Sequence, residues 1–194
     1  MEESDCQHVM IDIETMSTST KAVVLQVGAV RFDKNGIYES MQVSPCPRGQ
    51  IKDHGRIMDM DTLLWWSSQP SWGRVLGDAI RDLSLVSDQL EALRSFMHKM
   101  NTKAVKVWAN SPTFDLAILR DLYKDYGTPV PWSFRNERDM RTLMDCVPKG
   151  CKVKRDLHIA VEDAKDQAES VIKAWQWFDY IDAGGLTKKQ GGPS

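Results

Sequence analysis

Residues 7–43 constrain the fold more than any other stretch of the chain. QHVMIDIET, VVLQVGAVRFD and IYESMQV alternate or run apolar with many β-branched side chains, and Lys34-Asn35-Gly36 separates the last two. An Asn-Gly pair between two strand-like runs is a hairpin signal, because the tight turn that matches strand twist needs positive φ at its centre. The stretch therefore reads as one strand followed by two strands paired antiparallel. A loop with Pro45, Pro47 and Gly49 comes next, then a polar and aromatic stretch, MDMDTLLWWSSQPSW. A helix is expected over 87–100, with Ser87 as N-cap and Leu90, Leu93, Met97 and Met100 on one face. VKVWA reads as a short buried strand, and Ser111-Pro112 as the N-cap and first position of a helix through TFDLAILRDLYKDY, ended by Gly127 and two prolines. FRNERDMRTLMD reads as an edge strand and a helical turn. The last long helix begins near Val161, with Ala164, Ala168, Val171, Trp175 and Phe178 on its apolar face. Strands first, then alternating helix and strand, point to an α/β fold with a mixed sheet and helices on both faces.

At 194 residues, 42% apolar and 27% charged, the chain suits one domain with a sizeable core. The expectation is a single domain over 1–183 and a disordered tail over 184–194, where GGLTKKQGGPS has little to bury. No apolar run approaches the roughly 20 residues that span a bilayer, and MEESD is the wrong start for a secretory signal, so no membrane partner and a cytoplasmic location are expected. Cys6, Cys46, Cys146 and Cys151 fall at no zinc-like spacing and read as reduced thiols. A net charge of −2 and a pI of about 6.1 argue against binding long duplex, which calls for a broad basic footprint. The one basic cluster, Lys149, Lys152, Lys154 and Arg155, lies just before His158 and is either a phosphate contact or a solvated loop.

Three separated stretches carry chemistry: Asp12 and Glu14 in VMIDIET, Asp115 in WANSPTFDLAIL, and His158 with Asp163 in HIAVEDA. Residues two apart on a strand share a face, so Asp12 and Glu14 point together while Ile11 and Ile13 enter the core. Two such acids repel unless a cation lies between them, and all-oxygen donors suit Mg²⁺ or Mn²⁺ better than zinc. Asp115 opens a helix, where an acid also complements the helix dipole. The strand before it brings Asn110 and that helix start to the carboxyl edge of the sheet, where α/β sites lie. His158 and Asp163, five apart, would face different sides of an ideal helix, which puts His158 on the entering loop. Four carboxylates and an imidazole are the parts that hold divalent cations and deprotonate a water, which is the chemistry of phosphodiester hydrolysis.

In this order the five residues resemble the DEDDh branch of the DnaQ-like 3′–5′ exonucleases, and the resemblance spans roughly residues 7 to 180. TLLWWSSQ, VLQVGAVRFD and RDMRTL are similar to the subgroup containing phage exonuclease A and mycobacterial RNase AS. The resemblance implies an RNase H-like fold with a mixed five-stranded sheet flanked by helices on both faces, two Mg²⁺ (or Mn²⁺) ions, and release of nucleoside 5′-monophosphates from 3′ ends of single-stranded DNA or RNA. It further implies that Asp12 bridges both ions, that Glu14 and Asp163 complete the first site, and that Asp115 supports the second. His158 becomes the general base, since a histidine's ordinary pKa of about 6.5 lets it take a proton near neutral pH. Trp65 or Trp66 would stack on a terminal base, with core packing as the alternative for each, and Thr15 and Met16 would line the terminal nucleotide. A homodimer is expected, as in relatives. Two other readings stay open: a phosphodiesterase for very short oligonucleotides, and a non-catalytic nucleic-acid-binding module on the same fold.

Overall fold

The computed structural model describes residues 8–98, 105–155 and 157–184. Strands β1 (His8–Thr15), β2 (Val24–Asp33), β3 (Gly36–Val43), β4 (Lys106–Ala109) and β5 (Glu137–Asp139) form a mixed sheet in the order β3-β2-β1-β4-β5. β2 and β3 pair antiparallel through the Asn35-Gly36 turn, β1 pairs antiparallel with β2, β4 adds parallel to β1, and β5 parallel to β4. The helices are α1 (Pro47–His54), α2 (Met60–Ser67), α3 (Trp72–Arg81), α4 (Val86–His98), α5 (Asp115–Asp125), α6 (Met140–Asp145) and α7 (Ala160–Asp182).

The period-2 pattern of β1 divides the core. Val9, Ile11 and Ile13 pack with Leu90, Leu93 and Met97 of α4 and Leu116, Leu119 and Leu122 of α5. Met10 packs on the other face with Val30, Phe32, Trp108 and the Ala164, Ala168 and Val171 stripe of α7. Every residue of β2 is buried, as a strand covered on both faces requires. A third cluster, Met16, Leu25, Trp66, Val75 and Ala79, lies under α2 and α3.

The expected loop around Pro45, Pro47 and Gly49 instead holds α1, with Pro47 at its first position and Gly55, at φ 62°, ending it. Its Gln50 is buried and returns the hydrogen bonds of a strand neighbour, accepting from Val24 N (2.9 Å) and donating to Val24 O (2.7 Å). The polar and aromatic stretch forms α2, capped by Asp59 accepting from Thr62 N at 2.7 Å, and leads into α3. Regular α5 begins at Asp115, later than Ser111-Pro112 suggests, although Phe114 and Asp115 already donate to Ser111 O. Met100 and Cys6 lie outside the described residues, as do residues 185–194 of the tail expected over 184–194. Cys46, Cys146 and Cys151 are free thiols. No described helix is long and apolar enough to cross a membrane.

One close approach sets the position of α7. A Cβ on Gly28 of β2 would lie 2.3 Å from the carbonyl of Ala160, so α7 begins against bare strand backbone. Its first amides, unmet within a helix, are taken by side chains from the sheet: Ala160 N donates to Gln26 Oε1 and Val161 N to Gln42 Oε1, each at 3.3 Å.

Candidate active site

β1 and β4 run parallel, so their carboxyl ends and the helix starts that follow share one edge of the sheet. Asp12 and Glu14 project from β1 on the α7 side, Asp115 opens α5, Asp163 sits in the first turn of α7, and His158 stands on the loop before it. All five line one cleft of about 830 Å³. Trp65 and Asn110 line it as well, as do the exposed Arg141, Lys152 and Lys154.

The carboxylates strain against each other. Burial and then the charge of Asp163 and Asp115 push Glu14 from 4.5 to about 8. Burial lifts Asp115 to about 7, although backbone N–H groups, Ser111 among them at 3.2 Å, favour its ionised form. Asp12 is driven well above the usual carboxylate range by enclosure at the cleft floor, then by Asp115, Glu14 and Asp163. Asp163 rises for the same first reason, offset by the His158 charge and by backbone N–H groups of Leu157 and His158. Ligand atoms of Glu14, His158 and Asp163 lie within 4.8 Å of one another, and Asp12 and Asp115 flank that group. Crowded, poorly solvated hard-oxygen donors of one sign are what a divalent cation neutralises, so the residues present fit such an ion.

His158 has φ 48°, the left-handed region, where a side chain stays only if its surroundings hold it. Its ring meets Trp65 edge-on, with centroids 4.9 Å apart at 82°, and lies 6.4 Å from Trp66. The two tryptophans divide the expectations made for them. Trp65 is 43% exposed on the cleft. Trp66 is 0% exposed and donates through Nε1 to Thr15 O at 2.8 Å, so it is a core residue and offers no stacking face to a base. Met16 is corrected likewise: its side chain is in the core, and its N–H donates to Val23 O at 2.9 Å. Thr15 is buried, with its hydroxyl donating to Ser17 O, and does not line the cleft. In the basic cluster, Lys152 and Lys154 reach the cleft, whereas Arg155 is bound to the buried Asp166 through Nε at 2.6 Å.

Sequence reasoning missed Gln167, which donates to Asp12 Oδ1 at 2.6 Å, and Arg141, whose charge acts on Asp115. The i,i+4 spacing of Asp163 and Gln167, which stacks both on one helix face, was the available signal for Gln167. Nothing in RDMRTL distinguishes Arg141 from Arg138 before the edge strand is placed.

An RNase H-like sheet that gathers the DEDDh residues at its carboxyl edge defines a 3′–5′ exonuclease domain of that class. The chain belongs to the family described as the 3'-5' exoribonuclease Rv2179c-like domain, which matches residues 7–175. The exodeoxyribonuclease of Enterobacteria phage T4 is 26% identical over 162 residues, 71% of this chain and 70% of that protein. Among solved structures, the zinc-bound E. coli exonuclease I complex with single-stranded DNA matches at TM-score 0.63 and 14% identity over 91% of this chain, which spans 42% of that one. The nuclease domain of 3'hExo, a DEDDh family member bound to rAMP, matches at TM-score 0.62 and 11% identity over 90% of this chain and 94% of that one. At these identities the two structures speak to the fold alone.

Proposed function

We propose that the chain is a metal-dependent 3′–5′ exonuclease that removes nucleoside 5′-monophosphates from single-stranded DNA or RNA ends. The convergence of Asp12, Glu14, Asp115, His158 and Asp163 in one cleft carries this reading. Two Mg²⁺ or Mn²⁺ ions would be held by Asp12, Glu14, Asp115 and Asp163; when bound, they supply charge neutralisation and electrophilic activation of the phosphodiester. His158 takes the proton of the attacking water, and its place beside Glu14 and Asp163 puts it next to the reacting centre. Trp65 stacks on the terminal base, while Lys152 and Lys154 meet the backbone phosphate. The names of relatives support both sugars: the family is described as exoribonuclease, the phage T4 protein as exodeoxyribonuclease.

The deciding experiment is a panel of matched end-labelled DNA and RNA strands, single and double, with Mg²⁺, Mn²⁺ or chelator. Stepwise ladders from 5′-labelled single strands that vanish in chelator are expected, and persistent cleavage in chelator would remove the metal-dependent reading. A second reading, hydrolysis of very short oligonucleotides, is favoured by the cleft of about 830 Å³ and the net charge of −2; a rate that rises as the strand shortens to a dinucleotide would select it. We further infer a homodimer in the cytoplasm. Exposed Ile51, Met58, Ile80 and Leu83 around an apolar pocket by α1 and α3 support the dimer, and a monomer mass by light scattering at micromolar concentration would overturn it.

A further inference from the structure

Gln167 stands one helical turn beyond Asp163 on α7 and reaches the same floor of the cleft. Its Nε2 donates to Asp12 Oδ1 at 2.6 Å. This bond sets the amide nitrogen toward Asp12 and the carbonyl oxygen away from it, the orientation that suits the ionised carboxylate a cation requires, since that form only accepts. That oxygen is buried with no hydrogen-bond partner among the described residues, and the side chain as a whole is 9% exposed. Polar neighbours on the same helix are treated differently. Asp166 accepts from Arg155 N and Nε, and Ser170 Oγ donates to Asp166 O while accepting from Val153 N.

A buried acceptor left unmet costs the fold free energy that an apolar side chain of the same size would not. Methionine or leucine at this place would fill similar space with nothing orphaned, so packing alone does not account for an amide here. We propose that Gln167 is a positioning residue whose amide holds the Asp12 carboxylate in the orientation that divalent-cation binding requires, at the expense of stability. This rests on the metal-dependent reading above. It makes the frustration at Gln167 a functional one: the residue is poor for the fold and good for the site.

Gln167→Met separates the two roles. The metal-free variant should melt at or above the temperature of the native chain. Its affinity for Mn²⁺, titrated alone by calorimetry, should fall about 10- to 100-fold, the usual loss when a group supporting a metal ligand is removed. kcat should fall with it, with KM for an oligonucleotide little changed. Gln167→Leu should behave in the same way. Native Mn²⁺ affinity in both variants overturns the proposal, and so does a melting temperature that drops in parallel with affinity, which is the mark of a structural residue. If the native chain binds Mn²⁺ and the variants match it, only the role of Gln167 fails. If the native chain binds no Mn²⁺, that role and the metal-dependent reading fail together.

Discussion

At the scale of single residues, the site is a set of acids held where they would rather be neutral. Glu14, lifted from 4.5 to about 8, keeps its proton in the folded metal-free chain over pH values at which the unfolded chain has lost it. Between those values the folded state binds more protons than the unfolded one, so stability falls as pH rises through about 4.5 to 8. Thermal melts of the metal-free chain should accordingly be lower at pH 8 than at pH 5. Mg²⁺, which needs deprotonated ligands, should raise the melting temperature more at pH 8 than at pH 6. His158→Ala should lower kcat by about 10²- to 10⁴-fold while weakening Mn²⁺ binding far less; equal losses of both would make the imidazole a ligand and not a base. The adjacent tryptophans give a further contrast. Trp65→Ala should weaken strand binding by about 1–3 kcal/mol with little change in melting. Trp66→Ala should cost about 3–5 kcal/mol of stability through the cavity it leaves. Their order in the sequence says nothing about which is which. Only the placement of α2 against β1, with Trp66 Nε1 on the Thr15 carbonyl, decides it.

At the scale of elements, the hairpin, β1, β4 and α7 were legible because each carries a clean period or turn signal of its own. The region from residue 44 to 81 was not. α1 is anchored by Gln50 hydrogen-bonding to the Val24 backbone, and α2 by one buried tryptophan and the Asp59 cap. Those are tertiary partners, and such short helices have little stability without them. Gly28 shows the same dependence in reverse: it reads as an ordinary strand glycine, yet the start of α7 touches its Cα side. Gly28→Ala should push α7 off the sheet, separating Asp163 and His158 from Glu14. The expected result is a markedly lower melting temperature together with loss of Mn²⁺ binding. A variant with native melting and activity would show that α7 has slack at this contact.

At the scale of the whole molecule, the net charge of −2 conceals a division of sign across the cleft. Buried acids and the exposed Arg141, Lys152 and Lys154 line the same cleft, so under the proposed function a strand's phosphates would be met by few cations. Replacing Lys152 and Lys154 by alanine should weaken oligonucleotide binding evenly across sequences and lower its salt dependence by about 1 in log–log slope per lysine. A slope unchanged in the double variant would return both residues to the solvated loop. The sequence by itself determined the layered α/β fold and singled out five candidate residues, because strand period, the Asn-Gly turn and residue type are local properties. Tertiary structure alone decided which tryptophan faces the cleft, that Met16 is core, that Gln167 braces Asp12, and that Arg155 belongs to Asp166. The first three depend on elements distant in the chain meeting at a specific depth and angle, and the last on how the loop before α7 folds back along that helix; no pattern within a single element encodes either.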